Sequence, residues 1–201
     1  MKQLCRIILV RHGESVFNKA GIIAGDSPLT DKGREQARQT KEILARFKFD
    51  AVYSSDLKRA IETAEIIAGK QVPASNRLSS LRERDFGSLE HKSEKHHDQE
   101  GKLRSIMTHE ENWLYKHVAD TESDHELSHR YIKALQEIAE NNPGKIILVA
   151  SHAAAIRTTL MRLGGLTYHE VPQGSFKNAG YAELSYADHD FKVVQTSGLQ
   201  I

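Results

Sequence analysis

Short apolar runs alternate with amphipathic stretches along this chain. Leu4 to Val10 is rich in apolar and β-branched residues and too short for a helix, which predicts a buried strand. Ala51 to Ser54 predicts a shorter strand, and Lys145 to Ala150 another, headed by the turn signal Asn142-Pro143-Gly144. Apolarity that is continuous rather than alternating suits strands covered on both faces, as in a parallel sheet. Helical spacing falls between these runs. After Thr30-Asp31, an N-terminal signal, Ala37, Thr40, Leu44 and Phe47 make one stripe. After Ser55, Leu57, Ala60, Ile61, Ala64, Ile67 and Ala68 make a second, stopped by Gly69. Asp124 to Glu140 turns Leu127, Tyr131, Ala134, Leu135 and Ile138 inward, and a last helix after His152 carries Ile156, Leu160 and Leu163. Ala179 to Ala187 and Phe191 to Thr196, joined through Asp188-His189-Asp190, predict a hairpin on the sheet edge. Alternating strand and helix argues for an α/β sandwich.

From Glu90 to Glu126 the rhythm breaks. Six of the eleven histidines and ten acidic residues crowd there, with few apolar ones. This segment reads as an exposed, partly helical insertion over one end of the sheet. No internal repeat and no linker rich in Pro, Gly and Ser divides the chain. The expectation is a single domain over residues 1–201 with a cap insertion at about 88–125. A chain of 201 residues can bury roughly 70% of its extended surface, so folding needs no metal or disulfide. Lys and Arg number 28 against 27 Asp and Glu, and a net charge of +1 gives no reason to expect nucleic acid or an anionic membrane as partner. Cys5 is the single cysteine, which excludes an intrachain disulfide and makes a reducing, cytoplasmic setting the expectation. The runs from Ile7 to Val10 and from Ile146 to Ala150 are far too short to span a bilayer. Arg6 and Arg11 interrupt the N-terminal stretch, whose apolar part is too short for a secretory signal.

Three strands end in polar residues that do not suit a core. The first runs into Arg11-His12-Gly13-Glu14-Ser15, the second into Ser54-Ser55-Asp56 with Arg59 a turn later, the third into Ser151-His152. Ligands of open α/β sheets bind outside the carboxyl ends of the strands. The pattern therefore gathers Arg11, His12, Arg59 and His152 at one edge. Each alone has a bland explanation, a capped loop or a solvated Arg; their coincidence at three strand ends favours a site. With Leu57 as the centre of its stripe, Arg59 lies roughly 200° away and points off the packing face. It also sits in a first helical turn beside Lys58, where the macrodipole disfavours cations and a bound anion would remove the conflict. Arg157 holds a similar early position after His152. Arginines, histidines and helix N-termini suit a dianionic phosphoryl group. Nearby cations also keep an imidazole neutral and nucleophilic near pH 7. The leaving oxygen needs a proton donor, and Glu83 and Asp85 in Leu81-Arg82-Glu83-Arg84-Asp85-Phe86-Gly87 are both candidates.

These residues are recognisable together. The chain resembles the histidine phosphatase superfamily, in its branch similar to cofactor-dependent phosphoglycerate mutase. The resemblance covers most of the chain. It rests on Arg11-His12-Gly13-Glu14-Ser15 with Asn18, on Pro28-Leu29-Thr30 with Gly33, and on Ser54-Ser55-Asp56-Leu57 with Arg59-Ala60 and Thr63-Ala64. Leu81-Arg82-Glu83 with Phe86-Gly87, and Ser151-His152 with Ile156-Arg157, complete it. It implies a three-layer α/β sandwich: a mostly parallel central sheet, helices on both faces, an antiparallel edge and a small, mostly helical insertion over the active site. It implies His12 as the phosphorylated nucleophile, Arg11, Arg59 and His152 as ligands of the phosphoryl group, and Glu83 as acid and then base. Asn18 and the backbone around Ala24, Gly25 and Ala153 would complete the pocket. Two departures stand out. Ala153 replaces the usual Gly after the second histidine, and Leu89-Glu90-His91 stands where the family often has Trp-Glu-Gly.

The implied activity is hydrolysis of a small phosphorylated metabolite through a phosphohistidine, with no cofactor and no metal. A mutase that returns the phosphoryl group to a second hydroxyl is the alternative, and the short insertion favours the phosphatase. A non-catalytic regulator is disfavoured by retention of every chemical group. A zinc hydrolase is the remaining rival, because His125-Glu126-Leu127-Ser128-His129 matches the H-E-x-x-H pattern. Measured from Leu127, both histidines lie roughly 160° and 200° round the helix, away from the apolar stripe. Ile132 also stands where an extended zinc motif has Gly. His96 and His97 with His91 read as a solvated face rather than ligands, and Cys5 reads as core.

Overall fold

The computed structural model describes residues 3–93 and 98–199. The sheet holds β1 (Cys5–Arg11), β2 (Ala51–Ser54), β3 (Ile146–Ser151), β4 (Phe176–Ala187) and β5 (Asp190–Leu199) in the order β2-β3-β1-β4-β5. β3 pairs parallel with both β1 and β2, while β4 pairs antiparallel with β1 and with β5. β4 thus runs against the other four, and the hairpin forms the expected antiparallel edge. The helices are α1 (Val16–Ala20), α2 (Asp31–Ile43), α3 (Lys58–Ala68), α4 (Asp98–Ser105), α5 (His109–Leu114), α6 (Asp124–Glu140) and α7 (Ala153–Gly164). None of them is long and apolar enough to cross a membrane, among the described residues.

The unbroken apolarity of β1 has its cause in the layers. Cys5, Ile7 and Leu9 pack with Leu127, Tyr131 and Leu135 of α6 and Ile156 and Leu160 of α7. Ile8 and Val10 point the other way, into a core with Ala37 of α2 and Ala64 and Ile67 of α3. A strand with helices on both faces has no position to spare for a polar side chain. At the N-terminus the sequence predicts, Thr30 caps α2 by accepting from the Gly33 amide at 3.0 Å, and Ser123 caps α6 by accepting from the Glu126 amide at 3.1 Å. In the hairpin turn Asp188 and His189 both take left-handed φ, 50° and 64°, which matches the twist of the flanking strands.

Three details differ from the sequence reading. Leu57 is the extended N-cap of α3 rather than the centre of its stripe. α2 ends at Ile43, so Leu44 and Phe47 reach the core from beyond the helix, where the guanidinium groups of Arg6 and Arg46 lie over the Phe47 ring. The insertion is not wholly exposed. Arg104 of α4 is 1% exposed and donates to the side-chain and main-chain oxygens of Asn112 in α5, at 2.9 and 3.0 Å. A polar centre replaces the apolar one that the composition lacks.

Candidate active site

His12 follows the last residue of β1 and is 3% exposed. Its Nδ1 lies 2.7 Å from the Gly13 carbonyl oxygen, which can only accept, so Nδ1 carries the proton and Nε2 the lone pair. The Nε–H of Arg59 donates to that lone pair at 3.1 Å. Arg59 points off the α3 stripe as the sequence predicts, yet into the interior rather than water: it is 4% exposed, and its Nη1 donates to the Gly25 carbonyl at 2.5 Å. One turn later Thr63 accepts from the Gly13 amide at 3.1 Å and donates to the Arg59 carbonyl at 2.7 Å. That hydroxyl ties the loop after His12 to the helix that carries Arg59. Arg11, at the end of β1, donates through Nη1 to the Phe176 carbonyl.

His152 is the fully buried N-cap residue of α7, its ring edge-on to His12 with centroids 5.1 Å apart. Ser55, just past β2, accepts from the Leu57 amide at 3.4 Å, and its hydroxyl shares a hydrogen bond with His152 Nε2 at 2.7 Å. The His152 Nδ1 is a buried atom with no hydrogen-bond partner among the described residues. Burial, then the charges of Arg59 and Arg11, hold the His12 imidazole well below its usual 6.5, with the Gly13 carbonyl opposing. Burial, Arg59, the neighbouring His12 and Arg11 do the same to His152. Both rings are neutral near pH 7.

Of the two candidate acids, Glu83 faces the cavity. Its Oε1 accepts from the amides of Arg84 at 2.9 Å and Ala155 at 3.2 Å, and its Oε2 from Ala154 at 3.2 Å. Because His152 makes no side-chain cap, Glu83 caps α7 from another part of the chain. Asp85 is exposed and closes a turn by accepting from the Gly87 amide at 2.8 Å.

A cavity of about 370 Å³ opens at the carboxyl ends of β1 and β3. Arg11, His12, Asn18, Ala24, Arg59, Glu83 and Ala153 line it, all named by the sequence. Gly25 and His152 stand behind that lining, Gly25 holding Arg59 and His152 against the His12 ring. Sequence reasoning missed Arg84 of the acid motif, His117 and Thr121 of the insertion, and Gln173 after α7, which also line the cavity. It missed Asn178 too, whose Nδ2 donates to the His12 carbonyl at 3.1 Å. Arg157 does not reach into water: it is 3% exposed, lines the cavity, and pairs with Asp124 at 3.0 Å.

The rival motif is differently placed. His125 and His129 are exposed on α6 while Leu127 is fully buried. The Glu126 carboxylate is taken by the Ser123 amide at 2.9 Å and the Lys116 ammonium at 2.7 Å. His91 packs edge-on against Phe17, and His96 and His97 lie outside the described residues.

A neutral buried imidazole between two arginines, with a second histidine and a carboxylate beside it, is the arrangement that the resemblance implies. The model of the histidine phosphatase superfamily, branch 1, matches residues 7–197. The chain belongs to this superfamily. It is 32% identical to the probable phosphoglycerate mutase GpmB of Salmonella arizonae over 97% of this chain and 93% of that protein. Among solved structures it resembles a phosphoglycerate mutase from Bacillus anthracis, with a TM-score of 0.78, 25% identity, and 98% and 94% of the two chains covered. It resembles equally a phosphoserine phosphatase from Entamoeba histolytica in complex with 3-phosphoglyceric acid, with a TM-score of 0.76, 25% identity, and 98% of each chain covered. Histidine phosphatases of both kinds thus share this fold. The departures from the superfamily pattern have a visible form here. Ala153 opens α7 on the cavity wall, and His91 holds a left-handed φ of 64° where the superfamily pattern often has Gly.

Proposed function

We propose that the chain is a phosphatase that hydrolyses a small phosphomonoester through a phosphohistidine on His12. The observation that carries this reading is the hydrogen bond from His12 Nδ1–H to the Gly13 carbonyl, which leaves Nε2 with its lone pair among the cavity's cations. Nε2 attacks phosphorus opposite the ester oxygen, forming the P–N bond as the P–O bond breaks. Arg59 exchanges its bond to Nε2 for the phosphoryl oxygens, and with Arg11 and a ring N–H of His152 balances their charge. Glu83, as the carboxylic acid, gives its proton to the leaving oxygen. Its carboxylate then takes a proton from water, which attacks phosphorus, breaks the P–N bond and returns Nε2 to its starting state. Asn18, Ala24 and Ala153 border the same space and fix the phosphoryl group. The route needs neither metal nor cofactor. The buried thiol of Cys5, pushed up to about 11 by desolvation, suits a structural and unreactive cysteine, and a single cysteine suits a reducing, cytoplasmic setting.

Quenched reactions with a ³²P-labelled phosphomonoester test this. An acid-labile, alkali-stable label should appear on the protein and be absent from His12→Ala. Turnover by His12→Ala at the wild-type rate would sink the proposal. The likeness to probable phosphoglycerate mutase GpmB favours a second reading, transfer back to a second hydroxyl. The same experiment separates the two. Inorganic phosphate as the product marks a phosphatase, and label moved to a neighbouring hydroxyl of the substrate marks a mutase.

A further inference from the structure

We infer that Arg130 of α6 is a positioning residue for the acid: its guanidinium holds the backbone of the segment that carries Glu83, and so sets where the carboxyl meets the leaving oxygen. This rests on the role given to Glu83 above. Residues 82–86 form neither helix nor strand. Without a ladder, the carbonyls of such a segment need donors from elsewhere. Four consecutive carbonyls find them in side chains. Arg130 Nη1 donates to the Ser80 carbonyl at 2.9 Å and the Arg82 carbonyl at 3.3 Å, and Nη2 to the Glu83 carbonyl at 3.2 Å. The Ser151 hydroxyl donates to the Leu81 carbonyl between them at 2.8 Å.

The guanidinium is itself fixed. Glu122, just before α6, accepts from its Nε and its Nη2, both at 2.8 Å, a paired contact of two planar forks. The same carboxylate accepts from the Asp85 amide at 3.1 Å, and the Glu122 amide donates to the Asp85 carbonyl at 2.8 Å. Arg130 and Glu122 therefore grip the segment on both sides of Glu83. The Glu83 carboxyl is held separately, by the amides of Ala154 and Ala155 in the first turn of α7. Backbone anchored on α6 and carboxyl on α7 together leave the side chain little freedom. Arg130 does not line the cavity, so it acts through Glu83 rather than on the substrate. A carboxyl passes a proton only within roughly 2.6–3.2 Å of its acceptor. A loosened Glu83 would thus weaken proton donation and leave the attack by His12 as it was. An arginine that merely satisfied carbonyls would stabilise the fold and, once lost, slow every ester alike. Arg130 is only partly buried, so water can reach the carbonyls that a shorter side chain releases.

Values of kcat/KM for an alkyl phosphate and for nitrophenyl phosphate test this, because that constant covers only the steps up to departure of the alcohol. Arg130→Met should lower it roughly 10–100-fold for the alkyl ester, the scale of a misplacement by about 1 Å. It should lower it much less for the nitrophenyl ester, whose oxygen leaves without help. In a Glu83→Gln background, Arg130→Met should slow the alkyl ester no further, since the group it positions is already disabled. Equal losses on the two esters overturn the inference. So does an unchanged alkyl rate, or a loss as large in the Glu83→Gln background as in the wild type. Glu122→Gln keeps the shape of its side chain and weakens its hold on the guanidinium. It should show the same dependence on the leaving group in smaller measure, and it decides the matter if Arg130→Met does not fold; absence of that dependence overturns the inference. If Glu83→Gln itself slows both esters alike, the role of Glu83 falls and this inference with it.

Discussion

A carboxyl group can act as acid only where the leaving oxygen arrives, and two residues along the chain that condition changes completely. Glu83 lines the cavity, whereas Asp85 is exposed and bonded to its own turn. Glu83→Gln keeps an amide oxygen to accept from Ala154 or Ala155 but has no carboxylic proton. It should slow hydrolysis of an alkyl phosphate by roughly 10²–10⁴-fold, the usual size of a general-acid effect. Formation of phosphoenzyme from nitrophenyl phosphate, read as the pre-steady-state release of nitrophenol, should slow much less, because that oxygen leaves without help. Asp85→Asn should show no such dependence on the leaving group. The reverse result would move the acid to Asp85 and leave His12 in place. Arg11, His12, Arg59 and His152 were legible because charged or titratable residues interrupt apolar strand ends or crowd a helix N-terminus. Asn178 gave no such signal. Its amide serves a backbone carbonyl 166 residues away, and nothing in its own neighbourhood distinguishes it from a polar residue on an edge strand.

Among the elements, the strands and long helices appear close to where periodicity puts them, since each has a covered face whose spacing is set locally. The insertion obeyed no such rule. Its α4 and α5 are joined through buried Arg104 and Asn112 instead of an apolar stripe. Near its start, the backbone at His91 turns left-handed, with φ of 64°, and the His91 amide bonds to the Ile23 carbonyl at 2.9 Å. A left-handed residue with a Cβ costs about 1–2 kcal/mol. The ring offsets part of this by packing edge-on against Phe17 with centroids 5.8 Å apart. His91→Ala keeps the strain and loses the ring, so it should be the least stable form. His91→Gly loses both, and should be about 1 kcal/mol more stable than His91→Ala in urea unfolding. Equal midpoints for the two variants would show that the backbone there is unstrained.

For the molecule as a whole, the two buried histidines set a pH limit. Burial and the charges of Arg59 and Arg11 lower both pKa values below the 6.5 of a free imidazole. Below pH 6.5 the unfolded chain therefore binds protons that the folded chain refuses. Stability is complete above that value and is lost as the pH falls toward the folded values, by up to about 1.4 kcal/mol per pH unit for each histidine. Asp124 does not confuse the window. Burial raises its pKa, but Arg157, Arg84 and Arg104 overcome this and hold it well below the usual carboxylate value of 3.8. Its contribution fades only as the pH nears that value and falls below it. Urea midpoints should thus decline between pH 6.5 and pH 5, and His12→Asn combined with His152→Asn should flatten the decline. A wild-type curve that is level across this window would contradict the burial of neutral rings.

The sequence by itself determined the order of strands and helices, the doubly covered sheet, and the histidines and arginines that close its strands. Those features are written in runs of neighbouring residues, where apolar spacing and its polar interruptions are local signals. Only the tertiary structure decided which acid faces the cavity, and that residues 84, 104 and 157 converge on Asp124. Arg84 and Asp124 are 40 positions apart, Arg157 and Asp124 are 33 apart, and each would be equally at home in water. Long charged side chains carry no local mark of the partner they will meet, so their arrangement waits on the packing of the elements that hold them.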